Sequence, residues 1–250
     1  MKWFRNTSYI LWVCVIFFIL VSYNLPVSGQ KLSFGPKFGL YGSKEHGSAQ
    51  CDSIMVKAQS SGGNLEHPFI GIFVDYKVSK RFAVRTDINY FTRYTSYSIY
   101  NHDDPLGLKL GQPIVKSGVV APTTIDVQLG VGFYPIKGFQ VFANVAPNFN
   151  FSYEEPYNDV TRRSHGVEEV LNVVDETPKN LTWHYNFGCR LDVWRFNFEL
   201  NYQQMLSNSM TNPIEIWGKS YPFETTSKMV SVSIAYRLYS FKIGKKQEVE

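Results

Sequence analysis

The sequence predicts an all-β protein, an eight-stranded antiparallel transmembrane β-barrel with short periplasmic turns and long extracellular loops. Three observations carry the prediction. Apolar and polar residues alternate with period two in eight separate segments, each near the ~9–11 residues that cross a bilayer when tilted. Short and long connections between those segments strictly alternate, as they do in outer-membrane barrels and need not in soluble sandwiches. The charged residues of the segments all fall on the face opposite the apolar one.

The segments are residues 31–42, 68–78, 82–90, 124–134, 139–148, 181–191, 194–202 and 230–238. In the first, Leu32, Phe34, Phe38 and Leu40 oppose Ser33, Gly35, Lys37 and Gly39. In the third, Phe82, Val84, Ile88 and Tyr90 oppose Ala83, Arg85, Asp87 and Asn89. In the last, Val230, Val232, Ile234 and Tyr236 oppose Ser231, Ser233, Ala235 and Arg237. Tight turns are expected near residues 79–81, 135–138 and 192–193, and long loops over 43–67, 92–123, 151–180 and 203–229. Tyr76, Phe82, Phe133, Tyr134, Phe139, Trp194 and Tyr236 cluster near the short-turn ends, and Trp183, Tyr90 and Tyr202 near the others, so two aromatic girdles are expected.

The direction of the faces separates a membrane barrel from a lipocalin-like soluble one. Eight strands of Phe, Trp, Tyr and Ile pointing inward would overfill a small lumen. Turned outward they meet lipid, and the other face becomes a lumen charge network of Lys37, Asp75, Arg85, Asp87, Asp126, His184, Arg190, Arg195, Glu199 and Arg237. Closure then satisfies every backbone hydrogen bond, as hydrocarbon requires. Asp75 and Arg85 fall close to cross-strand register and are expected to pair. A salt-bridged plug is the favoured reading of the lumen over a gated pore, since buried charges need partners.

Residues 1–29 read as a signal peptide, with Lys2 and Arg5, an apolar run over 10–21 too short for a spanning helix, and small residues before Gln30. The barrel is assigned to 30–241 and a periplasmic C-terminal tail to 242–250. Without Lys2 and Arg5, the 25 basic residues become 23 against 21 acidic ones, a balance unlike that of a nucleic-acid binder. Cys51 and Cys189 read as two isolated thiols.

The opening KLSFGPKFGLYG, the segment KVSKRFAVRTDINYF across a tight turn, and the closing VSVSIAYRLYSF resemble outer-membrane β-barrel proteins common in Bacteroidota, the PorT-like or porin-family proteins, with OmpA- and OmpX-type barrels as architectural relatives. The resemblance spans residues 31–241 and is one of pattern, with no catalytic motif. It implies a location in the outer membrane and an accessory role in secretion or envelope assembly. The chain departs from many such barrels in that Tyr239 and Phe241 are followed by KIGKKQEVE instead of ending the chain on an aromatic residue.

No cofactor and no metal site is expected, since CxxC, Cys/His clusters and a calcium-loop spacing are all missing. His184, with Thr182 and Asn186 on the same face, is the sole hint of catalysis. The neighbouring segment 194–202 supplies no Ser, Thr or Cys as nucleophile, so the set is incomplete. The acidic stretch 151–180, with Glu154, Glu155, Asp159, Glu168, Glu169, Asp175 and Glu176, reads as a solvated loop. Trp217, Tyr221 and Phe223, in an apolar loop, are candidates for contact with a partner. The expected protein is a non-enzymatic monomer, structural or surface-binding (adhesin- or receptor-like). Its surroundings are outer-membrane lipid and lipopolysaccharide, it has an envelope protein as a candidate partner, and it binds no nucleic acid. A narrow channel and a lipid-modifying enzyme are the alternatives.

Overall fold

The computed structural model describes residues 30–52, 54–59, 64–93, 95–101, 115–120, 122–153, 159–160, 179–206 and 212–243. The expected signal peptide, most of the acidic stretch and residues 244–250 lie outside them. The strands are β1 (Gln30–Cys51), β2 (Ile54–Gln59), β3 (His67–Lys77), β4 (Phe82–Thr92), β5 (Thr95–Asn101), β6 (Val115–Val120), β7 (Pro122–Ile136), β8 (Phe139–Tyr153), β9 (Asp159–Val160), β10 (Leu181–Val193), β11 (Phe196–Met205), β12 (Ile214–Ile216), β13 (Lys219–Tyr221), β14 (Glu224–Tyr236) and β15 (Tyr239–Ile243).

Eight of them close a barrel in the order β1, β3, β4, β7, β8, β10, β11, β14, and β14 returns to β1. Each neighbouring pair is antiparallel, and the seam runs from Lys37↔Ala235 to Ser48↔Glu224. Below the seam β15 continues the last strand and pairs with the start of β1, from Phe34↔Tyr239 to Gln30↔Ile243. The period-two alternation decides which side chains enter. Ser33, Lys37, Asp75, Arg85, Asp87, Gln128, Gln140, Arg190, Asn197 and Glu199 are buried inside, while Phe38, Ile70, Ile72, Val131, Phe187, Leu200 and Ile234 are exposed outside. In water that apolar outer surface would be a severe liability. In a bilayer it is the matching surface.

The tight ends are short hairpins. Ser79 Oγ accepts hydrogen bonds from the Arg81 and Phe82 amides (3.2 and 3.0 Å) and so fixes the β3–β4 turn. Gly138 takes φ +85° between β7 and β8, a conformation that glycine adopts without steric cost. Between β10 and β11 the turn is Trp194–Arg195, with Trp194 itself at φ 54°.

Three expectations change here. The strand expected to begin at Trp194 begins at Phe196, so Arg195 sits in an exposed turn and does not join the lumen. Tyr134, assigned to a girdle, points inward and is buried. Among the described residues, three of the four expected long loops are largely strand. β1 runs on to Cys51, and its upper edge pairs with β2, which pairs with β5, then β6 and β9. β12 and β13 form a separate hairpin with Trp217 and Gly218 both at positive φ, a type I′ arrangement. The cause is continued alternation above the membrane. Ala49, Cys51, Ile54, Val56, Ala58, Tyr97 and Ile99 occupy one face of this extension and are buried there by Ile214, Ile216 and Phe223 of the hairpin segment.

Candidate functional site: an ion-paired lumen beneath an extracellular sheet

Inward parity on five strands brings three cations and three carboxylates together in the lower lumen. Lys37 Nζ donates to Asp87 Oδ2 (2.9 Å) and Glu199 Oε2 (2.6 Å). Arg85 Nη2 donates to the same Asp87 oxygen (2.6 Å) and to Glu199 Oε1 (2.9 Å). Arg190 pairs with Asp75 through Nη1 and donates through Nη2 to the Tyr134 hydroxyl (2.7 Å). Its Nε lies 2.9 Å from Asp192 Oδ1, an ion-pair contact too bent for a hydrogen bond. The Arg85 guanidinium also stacks 3.9 Å above the Phe142 ring. Where the network needs space, glycine supplies it: a Cβ on Gly132 would stand 2.0 Å from Gln140 Nε2.

The topology gives these contacts their meaning. β3 and β10 are four strands apart by either route around the ring, and so are β4 and β11. Asp75–Arg190 and Arg85–Glu199 therefore each cross the full diameter of the lumen. An eight-stranded barrel is just wide enough for its side chains, and at this level two ion pairs fill it. Breaking one partner of such a buried pair costs about 3–5 kcal/mol.

The expected Asp75–Arg85 pair does not form. The two residues are in register, yet Asp75 reaches across to Arg190 and Arg85 takes Asp87 and Glu199. The partners lie across the lumen instead of on the neighbouring strand, which strand register alone does not reveal. Asp126 is fully buried in the lumen but accepts from Asn89 (3.2 Å) and Gln128 (2.5 Å), and makes no ion pair among the described residues. Arg237 lies at the periplasmic rim, 3.6 Å from Asp192 and hydrogen-bonded to Asn197 (3.1 Å). His184 is buried on the upper inner wall beside Thr182 and Asn186. Neither the Thr182 hydroxyl nor the Asn186 amide makes a hydrogen bond, so the three do not form a relay. Gln140, Tyr134 and Phe142 complete the plug and lay within the alternation as inward positions; their polarity or size, without formal charge, hid them.

Above the plug the lumen wall changes. Tyr41, Phe69 and Phe91 form an apolar cluster, and Arg93 pairs with Glu45 (2.7 Å) beside it. Higher still is the extracellular sheet with its own core. Of the three loop contact candidates, Phe223 is 3% exposed and belongs to that core, a correction to its expected surface role. Tyr221 packs partly against the core, and Trp217, 46% exposed, sits at the hairpin tip. Lys219 pins the hairpin to Asp52 at the β1–β2 turn (3.2 Å). The Asp52 carboxyl is held below its ordinary value chiefly by the hydrogen bond from Lys219, and Lys219 is raised by the same contact. Cys51 lies in this core and Cys189 on the barrel wall, and both are free thiols. Burial pushes the Cys51 thiol up to about 11, so it is an inert core group.

Comparison with known proteins finds no matching family model and no similar curated protein. Among solved structures, the chain is similar to the outer membrane protein OprG of Pseudomonas aeruginosa, at 11% identity over 85% of this chain and 95% of OprG, with a TM-score of 0.44. It is similar to Ail, the attachment invasion locus protein of Yersinia pestis, at 10% identity over 84% of this chain and 100% of Ail, TM-score 0.40. For the outer membrane protein AlkL in lipid bilayers the values are 12%, 86%, 93% and 0.36. The assignment itself stands on strand pairing, closure and the outer apolar belt: the chain is an eight-stranded outer-membrane β-barrel.

Proposed function

We propose that this barrel is non-enzymatic and works through its extracellular sheet, as a structural or surface-binding module of the cell envelope. The lumen holds the fold together and does not conduct solutes. The observation that carries the reading is the pair of ion contacts across the full diameter, Asp75–Arg190 and Arg85–Glu199, beneath an extracellular sheet that has a core of its own. A chain built only to be a pore has no use for either feature. The sequence resemblance to PorT-like barrels favours an accessory role in envelope assembly or secretion, with another envelope protein as partner. On this reading residues 1–29 export the chain, the barrel acts as a monomer, and residues 242–250 face the periplasm.

Site-specific photo-crosslinking from the Trp217 position in intact cells tests the proposal. A discrete adduct is expected from the folded protein, and it should vanish when Ile99→Asp disrupts the extracellular core. Two results would overturn the reading. One is solute flux through the wild-type barrel with no adduct. The other is a lipid A or phospholipid profile that changes on deletion and again with His184→Ala.

A further inference from the structure

We propose that Lys44 and Lys228, side by side on the outer wall, hold a phosphate group of an outer-leaflet lipid. The inference rests on membrane embedding alone and stands whether or not the extracellular sheet has a partner.

Along the seam between β1 and β14 the outward pairs run Phe38↔Ile234, Leu40↔Val232 and Gly42↔Val230, and then Lys44↔Lys228. The lipid-facing belt gives way in one step to two exposed ammonium groups directly opposite each other. Residues so placed have Cβ atoms ~4.5–5.5 Å apart, and like charges there repel. Among the described residues no carboxylate pairs with either lysine. Glu45 points inward to Arg93, and Glu224 lies two outward pairs higher, opposite Ser48. An anion between the two ammonium groups turns the repulsion into attraction.

The neighbouring strand supports the same placement. Gln204 of β11 is the register partner of Lys228, and its Oε1 accepts from the Tyr202 hydroxyl (2.9 Å), which leaves its NH₂ as a further donor in the row. Tyr202, and Tyr185 beyond Gln204, are half-buried on the outer wall at this height. Such aromatics mark the headgroup level of a bilayer. A shallow cleft directly above is lined by His46, Ser48, Lys57, Pro222, Glu224 and Thr226. Its hydroxyl, imidazole and single carboxylate suit the polar groups of a sugar headgroup, while the phosphate stays with the lysine pair below. The acyl chains then lie along Leu40, Phe38, Val232 and Ile234. That apolar continuation is why the occupant is a lipid and not free phosphate.

The test uses the full-length barrel in detergent, with diphosphoryl lipid A as probe and retained lipid counted by native mass spectrometry. Heat-modifiable gel migration verifies that each variant is folded. Wild type is expected to retain lipid A at about twenty-five-fold lower concentration than Lys44→Gln/Lys228→Gln, each lysine near an anionic surface contributing about fivefold. Lys44→Arg/Lys228→Arg should behave like wild type. Equal retention by wild type and the glutamine double variant would overturn the proposal. So would equal retention of lipid A and zwitterionic phosphatidylcholine by the wild type, which would make the belt the sole attraction. Full displacement of lipid A by millimolar inorganic phosphate would reassign the site to a free anion.

Discussion

The lower and upper halves of β1 use the same alternation in opposite senses. In the barrel its inner face carries Lys37 and its outer face Phe38 and Leu40. Above the membrane its inner face carries Ala49 and Cys51, and its outer face Lys44, His46, Ser48 and Gln50. Tyr41, Ser43 and Glu45, between them, are buried and amphipathic or polar. One strand therefore passes through two solvents. In lipid it is apolar outside and charged inside; in water the order reverses. The charges of the lower half are mostly paired with one another, because an unpaired buried charge is costly, while the upper half is held by ordinary apolar burial.

The comparison predicts that the two halves fail separately and by different chemistry. Glu199→Ala should have the largest effect. It removes the shared partner of Lys37 and Arg85 and is expected to cost about 3–5 kcal/mol, read as a lower urea midpoint of the folded barrel in detergent. Asp75→Ala should cost less, because Arg190 keeps Asp192 and the Tyr134 hydroxyl, and Arg85 keeps both of its carboxylates. If Asp75→Ala proved the worse of the two, the assignment of partners across the lumen would be wrong.

In the upper half, Ile99→Ala should destabilise the extracellular sheet by about 2–5 kcal/mol through a cavity in its core. Limited proteolysis should then cut the extension while heat-modifiable migration of the barrel stays unchanged. Loss of both together would mean that the two regions are one cooperative unit.

Much of the lower region was legible in the sequence and much of the upper was not, for a physical reason. Eight lipid-facing segments repeat at nearly constant length because the bilayer has a fixed thickness, so their alternation stands out. The extension obeys no such ruler. Its alternating runs, Ile54, Val56 and Ala58, and Tyr97 and Ile99, are short and lie within stretches that read as loops between spanning strands. Phe223 looked like a contact residue because an apolar side chain in a loop has no visible cover until the sheet that covers it is known. In the lumen, parity identified which side chains enter, and nine of the ten named residues do enter or line its rim. Arg195 failed because a two-residue turn centred on Trp194 shifted the start of β11. Which charge meets which depends on reach across a closed ring, and no local pattern encodes that.

The smallest expected effect is on the Asp52–Lys219 pin. The Asp52 carboxyl is lowered from 3.8, so its contribution is present above that value and lost as pH falls through the lowered one. Lys219 is raised from 10.5, so its contribution is present below that value and lost as pH rises through the raised one. Hydrogen-exchange protection of β12–β13 should therefore be flat between about pH 5 and about pH 9. Lys219→Ala should lower it only slightly, since the pair is exposed and screened by salt. A sharp change near neutral pH would require a group other than these two.

Single-channel recording of the purified full-length monomer in planar bilayers shows most directly whether ion pairs spanning its diameter close the lumen. Little or no steady conductance is expected from the wild type, with rare small openings appearing in Glu199→Ala. Large, steady, solute-permeable openings from the wild-type monomer would contradict it.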